Sequence, residues 1–140
     1  MLVRHRLSSA QGDLLSNLAF ARATAVNRGR TIIVCPSLDG HQCAAAGWQS
    51  GWIIGHARSS TSQASGRMDG PPLRVESAHR GLIISATSGR SHIQFRPDGS
   101  AMGSNITLTL CARAAPHGLT VIVANSGRIR AGRHAVCPSD

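Results

Sequence analysis

"ITLTLCARAAPHGLTVIVANSGRIRA", residues 106–131, decides how this chain folds. From Ile106 to Ala112 apolar and polar side chains alternate, the period-two pattern of a strand with one buried face. "APHG" at residues 115–118 is turn chemistry, and "LTVIVA" from Leu119 is a second β-branched run. "NSG" at Asn125–Gly127 then turns the chain into "RIRA", a third strand. Neighbouring strands joined by short turns pair antiparallel.

Upstream, "TIIVC" (Thr31–Cys35), "GWIIGHA" from Gly51, "LRV" from Leu73, "GLIISA" from Gly81 and "HIQF" from His92 are further strand candidates. Before them, Leu14, Leu15, Leu18, Ala21, Arg22 and Ala25 fall at helical spacing. They predict one long amphipathic helix from about Leu7 to Asn27, with Gly29 as its stop. "RSSTSQASGRMDGPP", Arg58–Pro72, is rich in Ser, Gly and Pro and is expected to be a mobile surface loop. The whole is a single α+β domain over residues 1–140: a helical part through residue 29, then a β-rich head with a basic tail.

A chain of 140 residues can bury roughly two-thirds of the surface its unfolded form exposes. Its aromatic side chains are only Phe20, Trp48, Trp52 and Phe95, so Leu, Ile, Val and Ala must build the core. The same scarcity argues against single-strand binding by stacked bases, which needs aromatic platforms. All 15 basic residues are Arg, against 6 acids, for a formal net charge of +9. Such a field attracts polyanions or anionic lipid. Glu76 is the sole glutamate, no two carboxylates are close in sequence, and no nucleophile elbow, Walker loop, dinucleotide fingerprint or zincin motif is present. The chain is therefore not expected to be an enzyme, and no cofactor or metal is expected.

Cys35, Cys43, Cys111 and Cys137 allow three pairings and contain no C-x-x-C. Cys35 and Cys43, even with His41 between them, are spaced for a disulfide-closed loop rather than a zinc site. Disulfides imply an oxidising compartment. The opening "MLVRHRLSSA" has no apolar signal region, and no apolar run of membrane-spanning length occurs. Either the thiols are free in a cytosolic protein, or an export segment has been removed.

The order of "NRGRTIIVCPSLDGHQC", "GWQSGWIIG", "IQFRPDGSA", "ITLTLC" and "LTVIVANSGRIRAG" after a long helix, closed by Cys137, resembles the FimT/GspH-like minor pilins and pseudopilins of type IV pili and type II secretion systems. The resemblance runs from about Leu7 to Cys137. It implies a type IV pilin-like fold, with a long helix packed on antiparallel sheet and no catalysis. The location implied is the inner membrane, periplasm or surface pilus of a Gram-negative bacterium. Family members begin with a short basic leader and a hydrophobic anchoring helix, so this chain corresponds to the part that follows. Its implied partners are other pilins and, through the preceding helix, the inner membrane. Trp48 and Trp52 match the family's W-x-x-G-W stretch and are expected to be packing residues. By order along the chain, Cys35 should pair with Cys43 and Cys111 with Cys137.

Within this family, pseudopilins are structural, whereas FimT-type pilins of naturally competent bacteria are associated with DNA uptake through a C-terminal G-R-x-R. Gly127, Arg128, Ile129 and Arg130 match it. Gly-Arg is common here, at Gly29, Gly66, Gly89, Gly127 and Gly132, but G-R-x-R occurs once. On a strand Arg128 and Arg130 project together while Ile129 faces inward. Arg133 and His134 extend the patch, and Arg113 belongs to the same acid-free stretch from Gly99 to Ser139. The expected partner is double-stranded DNA, bound through phosphates without sequence choice. Arg28 and Arg30, flanking Gly29, are expected to complement the helix dipole.

Overall fold

The computed structural model describes residues 2–58, 67–87, 91–102, 105–113 and 115–137, leaving the side chains of Arg133 and His134 outside the description. Helix α1, Leu2–Arg28, comes first. Its buried side chains Leu7, Ala10, Leu14, Asn17, Leu18, Ala21 and Ala25 recur every three or four residues and line one face. The helix starts five residues earlier than its apolar periodicity does, because once nucleated a helix adds exposed residues at little cost. It ends at Gly29, which adopts φ +65° and donates its N–H to the Ala25 carbonyl at 3.0 Å, a glycine cap.

Among the described residues eight strands follow: β1 Ile32–Pro36, β2 Trp52–Ala57, β3 Met68–Glu76, β4 Leu82–Ala86, β5 Ile93–Phe95, β6 Ile106–Ala112, β7 His117–Val123 and β8 Ile129–Val136. They form two four-stranded sheets, ordered β3-β2-β1-β5 and β4-β6-β7-β8, and every pairing is antiparallel. α1 packs on strands of both sheets, so one apolar cluster joins its buried face to Ile32, Val34, Ile54, Phe95, Leu108, Leu110, Val121 and Val123. Trp48, in a short turn of 3₁₀ helix, and Trp52 belong to that core and are almost wholly buried.

The loop expected over Arg58–Pro72 is corrected at its second half. Met68–Pro72 belong to β3, which pairs Met68 with Ala57 and Asp69 with His56 before the register shifts. Pro71 and Pro72 fit there because β3 is an edge strand and Gly70, at φ +79°, relieves the ladder beside them. Residues 59–66 of the same stretch lie outside the described residues.

Two disulfides tie the head. Cys35–Cys43 closes a loop of sequence separation 8 on the outer side of the first sheet, beside Ile33 and Ile53. Cys111–Cys137 spans a separation of 26 and joins the end of β6 to the residue following β8.

Candidate nucleic-acid interface

Residues 124–128 make the β7–β8 turn. Gly127 donates its N–H to the Ala124 carbonyl at 2.8 Å, and Ala124 donates to the Arg128 carbonyl at 2.9 Å. Gly127 sits at φ +92°, where side chains are strained. A β-carbon there would also collide with the Gly99 carbonyl oxygen, so glycine is required on two grounds.

A second turn, Pro97–Ser100, packs against the first. Asp98 caps it, accepting from the Ser100 N–H at 2.9 Å and the Ser100 hydroxyl at 2.6 Å. These bonds, the hydroxyl first, hold the Asp98 carboxyl below its ordinary pKa. Ala101 donates to the Asn125 carbonyl at 2.9 Å, and Asn125 donates to Asn105 Oδ1 at 2.9 Å. From α1, Arg22 reaches both turns: its Nε donates to the Gly99 carbonyl at 2.8 Å and its Nη2 to the Ser126 carbonyl at 3.4 Å.

Arg128 and Arg130 are both exposed, while Ile129 between them packs against the main core. Neither arginine has an ion-pair partner among the described residues. Arg130 lies on the edge strand β8, opposite Ile122, and Arg128 lies in the turn just before that strand. A cleft of about 560 Å³, lined by Arg22, Val26, Asn27, Arg128 and Ile129 among others, separates the turn from the end of α1.

The remaining predicted positions divide. Arg133 and His134 lie on the backbone of β8, with Arg133 opposite Leu119, but their side chains are outside the described part. Arg113 is exposed where the chain leaves β6, at the opposite end of the second sheet from Arg128. The seven residues of β7 put roughly 20 Å between these two ends, so Arg113 does not join the row. Arg28 turns its Nη1 to His56 Nε2 at 3.1 Å, and Arg30 lies 4.0 Å from Asp69. Arg22, which supports the turn from within, shows in the sequence only as a position on the helix, because its partners are 77 and 104 residues away.

The fold, one long helix on antiparallel sheets, matches that of minor pilins and pseudopilins. The sequence profile described as type II transport protein GspH matches residues 10–127, stopping one residue short of Arg128. The chain is similar to the type IV minor pilin FimU of Pseudomonas aeruginosa, with 25% identity, TM-score 0.69, and coverage of 96% of this chain and 90% of that one. A second crystal form of FimU agrees, at 24% identity and TM-score 0.70, with 94% of this chain and 100% of that chain covered. The fold also matches the minor pseudopilin EpsH of the Vibrio cholerae type II secretion system at 12% identity and TM-score 0.56, over 91% of this chain and 97% of that one. A comparison with curated proteins finds no match.

Proposed function

The chain belongs to the GspH family of minor pilins and pseudopilins, and from that premise we propose that it is a type IV minor pilin whose head binds duplex DNA through Arg128 and Arg130, for DNA uptake in natural transformation. Pilins and pseudopilins are structural proteins rather than known enzymes, and relatives are membrane-anchored in the periplasm or on the pilus of Gram-negative bacteria. On this reading the chain sits in that setting, packed among other pilins and held to the inner membrane by a preceding hydrophobic helix.

One observation carries the reading: Gly127 is wedged against Gly99 and Arg22, so the two exposed arginines leave a braced turn instead of a slack tail. Bracing reduces the entropy lost when the guanidiniums engage phosphate. Guanidiniums side by side fit successive phosphate oxygens, and among its described residues the head has no helix free to enter a groove and read bases. Binding is then non-specific, with Kd of roughly 10⁻⁴ to 10⁻⁶ M per head, and copies along a filament share the load.

A second reading is favoured by the likeness to FimU and EpsH and by the family match that ends at Gly127: a structural subunit that primes a filament or serves type II secretion without touching DNA. A gel shift on duplex DNA with salt titration separates the two. Three arginine contacts, with Arg133 as the third, give a slope of log K on log salt of roughly −3, and scrambled sequences bind alike. A folded protein that fails to retard duplex at low salt is the structural subunit.

A further inference from the structure

Two of the six carboxylates in this acid-poor chain converge on one histidine far from the arginine row. His79 Nε2 lies 3.3 Å from Glu76 Oε2 and 3.7 Å from Asp13 Oδ2, and the three ligand atoms all fall within 4.8 Å of one another. We infer that Asp13, Glu76 and His79 form a binding site for a divalent transition metal, zinc in particular, that fastens α1 to the turn after β3.

The contacts are spaced for a shared ion. Ligands about 2.0–2.1 Å from a tetrahedral zinc stand about 3.3–3.4 Å apart. The Glu76–His79 separation meets that value and the Asp13–His79 separation is slightly wider. An imidazolium ion pair would aim an N–H at one of the oxygens. Here Nε2 is buried and makes no hydrogen bond to either, although both oxygens are within ion-pair range. A metal ion seated between the oxygens and the ring would give that nitrogen the partner it lacks.

The surroundings orient the ligands as a metal site requires. Asn17, buried on α1 one turn beyond Asp13, donates its Nδ2 to the Asp13 carbonyl at 2.8 Å and to Glu76 Oε1 at 3.3 Å, which leaves Oε2 toward His79. The Asn17 Oδ1 is itself buried without a hydrogen-bond partner. His79 is held at both ends: its backbone N–H donates to the Gln49 carbonyl at 2.8 Å, and its ring stacks on Trp52 at 5.3 Å and 9°. The imidazole ligand selects zinc-like ions over calcium and magnesium, which prefer oxygen alone. Asp13, with a side chain 43% exposed, is the ligand on the solvent side and the point of entry.

The test uses the untagged, chelator-stripped protein, measuring retained metal by equilibrium dialysis against zinc and following thermal unfolding. One zinc per chain is expected, with Tm raised by roughly 5–10 °C at a hundredfold excess over Kd. His79→Gln and Glu76→Gln should each weaken zinc binding tenfold or more, while His41→Gln and His117→Gln bind like the parent. Asp13→Asn leaves the Trp52 stack and the Asn17 bonds in place, so its weaker binding supports the site even if His79→Gln fails to fold. The inference is overturned if the folded parent retains no zinc, if Asp13→Asn and Glu76→Gln bind as it does, or if calcium or magnesium raises Tm as much as zinc.

Discussion

Arg22 Nε donates to the Gly99 carbonyl oxygen at 2.8 Å, and that same oxygen occupies the space a side chain at Gly127 would need. One contact from the helix therefore holds in place the oxygen that excludes a side chain at Gly127. Gly127→Ala must accept a left-handed backbone and a displaced Gly99. We expect it to lose about 1–3 kcal/mol of stability, read by denaturant unfolding, and to bind duplex DNA more weakly although every arginine remains.

Replacing Arg128 and Arg130 by Gln removes two charges from exposed positions, which should alter stability by no more than about 0.5 kcal/mol. Arg58 and Arg67 are a matched control: they are exposed where the β2–β3 connection begins and ends, joined by the Arg58 N–H to the Arg67 carbonyl at 2.9 Å. Loss of most retardation in the first double variant and little in the second is expected. Equal losses would mean that total charge, not the braced row, holds the DNA.

The two disulfides should differ in weight. By loop-closure entropy the bond of separation 26 restricts the unfolded chain more than the bond of separation 8, about 3.5 against about 2.5 kcal/mol. Replacing Cys111 and Cys137 by Ser should lower Tm further than replacing Cys35 and Cys43, in parallel thermal melts. It also frees the tail beside Gly118, where a side chain would come within 2.8 Å of Cys137 Sγ.

His56 supplies a pH dependence. Burial first, then the positive charges of Arg30 and Arg28, lower its pKa below the ordinary 6.5, and Nε2 faces an Arg28 donor that requires it neutral. The unfolded chain therefore takes up this proton at higher pH than the folded one. Stability from His56 is complete above pH 6.5 and declines as pH falls below it toward the folded pKa. Melts between pH 7.5 and 5.5 should show a shallower decline for His56→Gln than for the parent.

The helix and the strands were legible because each keeps its own period: Leu14, Leu18, Ala21 and Ala25 on one face of α1, and the alternation of Ile106–Ala112. Met68–Pro72 misled because prolines signal a loop unless a neighbouring strand is known to leave its edge free, and that is a property of the sheet. The candidate arginines stand out in the sequence as G-R-x-R, a local pattern. Their support does not, since Arg22 and Gly99 meet Gly127 only through the packing of α1 on the second sheet. Asp13 and His79 were equally silent, because they come together only when the turn after β3 closes on α1.

The Cys111–Cys137 bond encloses the whole of β7 and β8. Strands zipped by hydrogen bonds yield one rung at a time when pulled from an end. A load applied at Arg128 or Arg130 enters a covalent ring. It passes around that ring to β6, in the middle of the sheet, without running out along a free tail. The outermost strand can loosen under such a pull, but it cannot be drawn away from the head.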